Sequence, residues 1–130
     1  MKRLLAFALF VLLFCFATSA FAADAPKLVG TWEGIPSVHG AKVGYRTGKL
    51  VVTIVEQQGN AFHGTKTYQT PRRSKTESFS GTIRSDGQIF IADHDEGYML
   101  GDLTKDGDLE LQYGHRGKNA IAVYVLLKKK

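Results

Sequence analysis

The sequence predicts an all-β domain: an eight-stranded antiparallel up-and-down β-barrel over residues 23–130, preceded by a signal-peptide helix over residues 1–22. Three observations predict it. Eight short runs alternate apolar and polar residues, with no 3.6-residue apolar period competing with them. Every second connection is a tight glycine turn, whereas the connections between those are longer and more charged. A bulky apolar residue, one spacer and a glycine recur four times, at Trp32-Glu33-Gly34, Phe62-His63-Gly64, Phe79-Ser80-Gly81 and Met99-Leu100-Gly101.

The first element is the leader. Lys2 and Arg3 precede an unbroken apolar run from Leu4 to Phe16, and Ala20-Phe21-Ala22 supplies small residues for cleavage after Ala22. Leu4 to Ala23 is also long enough to span a bilayer. The polar Asp24-Ala25-Pro26-Lys27 that follows favours removal, and with it an exported protein, periplasmic or secreted, without stable membrane insertion. Cys15 follows Leu12-Leu13-Phe14, which lacks the small residue that lipidation requires. Cleavage leaves 108 residues, one domain by length. Cys15 departs with the leader, so the mature chain has no thiol, disulfide or cysteine metal site. Fifteen basic residues then face twelve acidic ones, a mild excess that requires neither nucleic acid nor membrane as partner.

The eight runs are Leu28–Gly34, Lys49–Gln57, Ala61–Tyr68, Thr76–Arg84, Gln88–His94, Tyr98–Thr104, Asp108–Gly114 and Asn119–Leu127. In the second, Leu50, Val52 and Ile54 share one face. In the seventh, Leu109, Leu111 and Tyr113 oppose Glu110 and Gln112. Pro26, Pro36 and Pro71 all fall outside the runs, as a paired sheet requires. Glycines sharing a face with bulky side chains let a strand coil tightly, which favours closure over an open sheet with two bare edges. The turns at Gln58-Gly59-Asn60, Ser85-Asp86-Gly87 and Lys105-Asp106-Gly107 lie at one end and seal it. The segments Ile35–Gly48, Gln69–Lys75, Asp95–Gly97 and His115–Lys118 frame the other end, a mouth. Lys128-Lys129-Lys130 reads as a solvated tail after the last strand.

Gly30-Thr31-Trp32 resembles the G-x-W motif that opens the first strand of lipocalins, in the calycin superfamily. Gly59-Asn60-Ala61-Phe62-His63-Gly64-Thr65 resembles the G-x-L-x-G-T stretch of avidins, members of the same superfamily. The resemblance implies an eight-stranded barrel whose base is closed by Trp32. Avidins line their biotin site with several tryptophans, and Trp32 is the only one here, so biotin binding does not carry over. The chain also lacks the helix and disulfide common in lipocalins. Architecture transfers; function does not.

Eight strands enclose an interior that is either filled by side chains or hollow enough for one small ligand. The first case describes a protein-interaction or enzyme-inhibitor module acting through its mouth loops. The second describes a monomeric carrier of an amphipathic or anionic small molecule. Its expected contacts are apolar walls from Phe62, Phe79, Met99 and Tyr113, with Ile83 and Leu103 beside them. Lys66, Tyr68, Arg72, Arg73 and Arg116 would give the ligand its orientation. Lys66 shares a face with Phe62 and Gly64. Parity would aim it inward, where the amine would need a partner such as Asp93 or an anionic ligand; the alternative is a strand twist, a bulge or a snorkelling stem that takes it outward. Asp93-His94-Asp95-Glu96 holds metal-ligating types, but alternation sends Asp93 and His94 to opposite faces, so no metal site or cofactor is expected. No G-x-S-x-G motif or positioned base marks a catalytic residue, and His63 falls on the outer face.

Overall fold

Alternation along each strand becomes the inside and outside of a closed wall. The computed structural model describes residues 24–130; the predicted signal peptide lies outside the described residues. The strands are β1 (Gly30–Gly34), β2 (Ser37–Gly40), β3 (Gly44–Thr47), β4 (Lys49–Gln58), β5 (Ala61–Gln69), β6 (Ser74–Ile83), β7 (Gln88–Asp93), β8 (Tyr98–Leu103), β9 (Leu109–His115) and β10 (Ile121–Lys129). Eight of them pair antiparallel in the order β1-β4-β5-β6-β7-β8-β9-β10, and β10 returns to β1 through Trp32↔Lys129 and Glu33↔Lys128. The domain is therefore an all-β, eight-stranded antiparallel closed barrel.

Two departures from the sequence expectation concern its ends. The segment Ile35–Gly48, expected as a loop, contains the β2–β3 hairpin. Ser37↔Tyr124 continues the register of Glu33↔Lys128, so β1 and β2 form one strand interrupted at Gly34-Ile35-Pro36. Pro36 has no N–H to give to a ladder, which accounts for the interruption. Below it, β1 is bonded to both β4 and β10; above it, the second edge of β2 is taken by β3. The C-terminal lysines, expected as a tail, are the last rungs of the seam. Lys130 N–H donates to the Thr31 carbonyl at 3.0 Å, Lys128 pairs with Asp108 at 2.9 Å, and Lys130 pairs with Glu33 at 3.0 Å. β10 must extend this far because β1 lies at the sealed end.

At that end the three tight turns each use a glycine at positive φ: Gly59 (59°), Gly87 (91°) and Gly107 (82°). Above the turns the interior is an apolar plug in which Trp32, Ile54, Phe62, Phe79, Ile83 and Leu127 are all buried. Trp32 Nε1 donates to the Leu28 carbonyl at 2.9 Å, and Leu28 N–H donates to Gln57 Oε1 at 2.8 Å. The segment before β1 thus caps the floor with its polar groups satisfied. The inward glycines permit close approach: a Cβ at Gly64 would collide with the Thr53 carbonyl oxygen, and one at Gly101 with that of Glu110. A side chain at either position would push neighbouring strands apart.

Candidate functional site: a charged layer under the mouth cavity

Each strand's inward positions climb from the apolar plug toward the mouth, and the chemistry changes at one level. On β5 the inward series is Phe62, Gly64, Lys66, Tyr68; on β6 it is Ile83, Gly81, Phe79, Glu77, Lys75. On β7 it is Ile89, Ile91, Asp93, and on β9 it is Leu109, Leu111, Tyr113, His115. Lys66, Glu77, Asp93 and Tyr113 consequently meet in one layer above the plug.

Lys66 points inward and is buried. Its Nζ donates to Asp93 Oδ2 at 2.6 Å, lies 3.5 Å from Glu77 Oε2, and sits 4.1 Å above the centroid of the Tyr113 ring. An isolated buried ammonium would be strongly destabilising; two carboxylates and an aromatic face make this one tolerable. Asp93 has no exposed side-chain surface. Burial pushes its carboxyl above the usual value of 3.8, against the opposing pull of Lys66. Burial also works against the Glu77 carboxylate, but the hydrogen bond from Lys75 at 2.6 Å and the charge of Lys66 outweigh it and hold Glu77 below 4.5. Burial, reinforced by the nearby Asp93, Glu77 and Glu96 carboxylates, pushes the Tyr113 phenol up, so it stays protonated as a donor. Its hydroxyl lies 3.2 Å from the Glu96 carbonyl and 3.1 Å from His115 Nδ1. His115 Nε2 faces the Asn119 carbonyl at 2.7 Å; a carbonyl only accepts, so Nε2 carries a proton.

Above this layer lies a cavity of about 170 Å³. Its wall is mostly apolar, from Pro36, Val38, Leu50, Met99, Ile121 and Val123, with Lys66, Tyr68, Lys75, Glu77, Tyr113 and His115 contributing the polar atoms. Of its lining residues, Lys75 has a side chain that is 64% exposed. Among the described residues, two buried polar atoms have no hydrogen-bond partner, Tyr68 Oη and Asp93 Oδ1.

The structure distributes the sequence-predicted residues over three places. Lys66, Tyr68, Met99 and Tyr113 line the cavity. Phe62 and Phe79 lie in the plug beneath, their rings edge to face with centroids 6.2 Å apart, and Ile83 is packed with them. Arg72, Arg73 and Arg116 are exposed on mouth loops and do not line the cavity; Arg116 borders a separate outer dent with Glu96 and Tyr98. His63 is exposed against Glu56, and His94 turns outward to Ser80 at 2.9 Å, away from Asp93. Glu77 was not distinguished by its sequence context, although it shares the parity of Phe79, Gly81 and Ile83, the same signal that singles out Lys66. Val38 and Pro36 escape a sequence reading because Val38 belongs to the hairpin hidden in the long connection and Pro36 immediately precedes it.

In comparisons with known proteins, the chain matches no protein-family model, no curated protein and no solved structure.

Proposed function

We propose that this is an exported, monomeric, calycin-like barrel that binds a small amphipathic molecule in the mouth cavity. The observation that carries the reading is an apolar-walled cavity with a few convergent polar atoms over a sealed, apolar plug. Size narrows the ligand. Typical ligand pockets span about 300–1,000 Å³, whereas an apolar cavity of about 150 Å³ suffices for benzene. A cavity of about 170 Å³ therefore suits a single ring or a short chain with one polar group. The ligand's apolar body would lie against Val38, Leu50 and Val123, its polar end on the charged layer.

Benzyl alcohol, titrated against the isotope-labelled protein, should shift the amide and side-chain resonances of Met99, Tyr113 and Val123 and leave those of the floor unmoved. Val123→Trp, which fills the cavity from the wall, should abolish the shifts while the barrel stays folded. Shifts that persist in Val123→Trp would refute the site. Native mass spectrometry of protein from its own host should reveal a small bound mass.

A second reading, a module that engages another protein through its mouth, draws on the β2–β3 hairpin. Ile35 is 77% exposed, Tyr45 is 89% exposed, and β3 keeps one unpaired edge. Under it, native spectra would show no small bound mass but a partner protein, lost in Ile35→Ser/Tyr45→Ser.

A further inference from the structure

We propose that the ligand's polar end is an ammonium: the cavity takes a protonated amine on a small apolar body, seated on Glu77 where the Lys75 ammonium now sits. This deepens the small-ligand reading and rests on it.

The sign of the enclosed charge is the first argument. Asp93 is wholly buried and Glu77 and Lys66 are 13% and 9% exposed, whereas Lys75 is 64% exposed. The enclosed layer thus holds two carboxylates against one ammonium. Asp93 lies beneath the cavity, whose charged lining is Lys66, Glu77 and the rim residue Lys75; β2, β4 and β10 contribute only the apolar Pro36, Val38, Leu50, Ile121 and Val123, and β9 contributes Tyr113 and His115. The mouth arginines lie on exposed loops, where salt screens them.

The second argument is that this layer already binds ammonium groups twice. Lys66 sits on Asp93 and over the Tyr113 ring; Lys75 reaches in from the rim to Glu77 at 2.6 Å. Carboxylate oxygens and an aromatic face are the groups that recognise a protonated amine. The partnerless Tyr68 Oη adds a buried polar atom to the cavity lining. An anionic head would meet Lys66 already held by two carboxylates, and could use Lys75 only by drawing it off Glu77 while lying beside that carboxylate. Lys75 is the group that can leave: its pair is partly exposed, such pairs contribute little, and its flexible stem reaches water directly.

Three isosteres test the inference at neutral pH: benzylamine, benzyl alcohol and benzoate, titrated into the wild-type barrel and into Lys75→Ala and Glu77→Gln. Benzylamine should bind tightest and benzoate weakest. Lys75→Ala removes the resident competitor and should tighten benzylamine by roughly two- to fivefold, the scale of one partly exposed ion pair. It should weaken benzoate further. Glu77→Gln should lower benzylamine to the affinity of benzyl alcohol. Weaker benzylamine binding in Lys75→Ala, or tighter benzoate than benzylamine in the wild type, would overturn the inference. If benzyl alcohol binds as well as benzylamine, the ammonium falls and the small-ligand cavity stands. If none of the three shifts a cavity resonance, both fall.

Discussion

Replacing Lys66 by Met keeps the length and apolar stem of the side chain and removes only its charge. Asp93, with no exposed side-chain surface, then loses the ammonium 2.6 Å away and keeps no cation in contact. A carboxylate stranded in this way takes up a proton. Starting from its ordinary value of 3.8, protonation at pH 7 costs about 1.4 kcal/mol per pH unit, or about 4 kcal/mol in all. That agrees with the roughly 3–5 kcal/mol measured when one partner of a buried pair is removed. For a domain of this size the loss lowers the melting temperature by roughly 15–30 °C. Urea unfolding should show a lower midpoint with an unchanged slope. The penalty must also depend on acidity, shrinking by about 3 kcal/mol between pH 7 and pH 5 as the proton becomes easier to supply. Lys66→Met/Asp93→Asn should lose that pH dependence. A penalty below about 1 kcal/mol at pH 7, or one equal at pH 7 and pH 5, would refute the burial and pairing argued for this layer.

The two carboxylates of the layer should respond oppositely to acid. Glu77 titrates below 4.5 in the fold, so its stabilisation is present above that value and lost as the pH falls through its depressed pKa; Glu77→Gln should flatten the acid limb of urea midpoint against pH. Asp93 titrates above 3.8 in the fold, so its contribution improves as pH falls, and Asp93→Asn should steepen the same limb. Gly64→Ala, which drives a Cβ into the Thr53 carbonyl, should cost about 3 kcal/mol by forcing β4 from β5. Gly107→Ala meets no atom and should cost only the roughly 1–2 kcal/mol of its positive φ; equal losses in denaturant would refute the close approach. Trp32, the single tryptophan and 2% exposed, should emit at short wavelength and resist iodide quenching until global unfolding; Trp32→Ala should cost about 3–5 kcal/mol.

The wall of the barrel was legible because it depends on a period of two and on glycine turns, both local properties. Leu50, Val52 and Ile54 face inward, Glu110 and Gln112 outward, and the three tight turns share the sealed end, all as their spacing predicts. The β2–β3 hairpin was not legible. Two strands of four residues are too short to display alternation, and what fixes them is the register of β10 some eighty residues later. Parity placed Lys66 on the inward face but left a twist, bulge or snorkelling stem open, and its surroundings were not readable. Its partners come from β6, β7 and β9, and no sequence spacing states which inward residues of different strands share a level. The same limit explains the arginines: clustering on mouth loops did not reveal that the cavity would be walled by β2, β4 and β10 instead.

The interruption of the first strand at Gly34-Ile35-Pro36 divides the barrel into two mechanically distinct storeys. Below it, β1 stitches β4 to β10 and seals the circumference; above it, β2 stays with β10 and carries β3 outward, tied at its tip by the Ala41 N–H to the Ala120 carbonyl at 2.8 Å. Residues of the upper storey can therefore change in length, charge or tilt without unzipping the rungs that keep the cylinder shut. Variation around the mouth is decoupled from the closure of the cylinder.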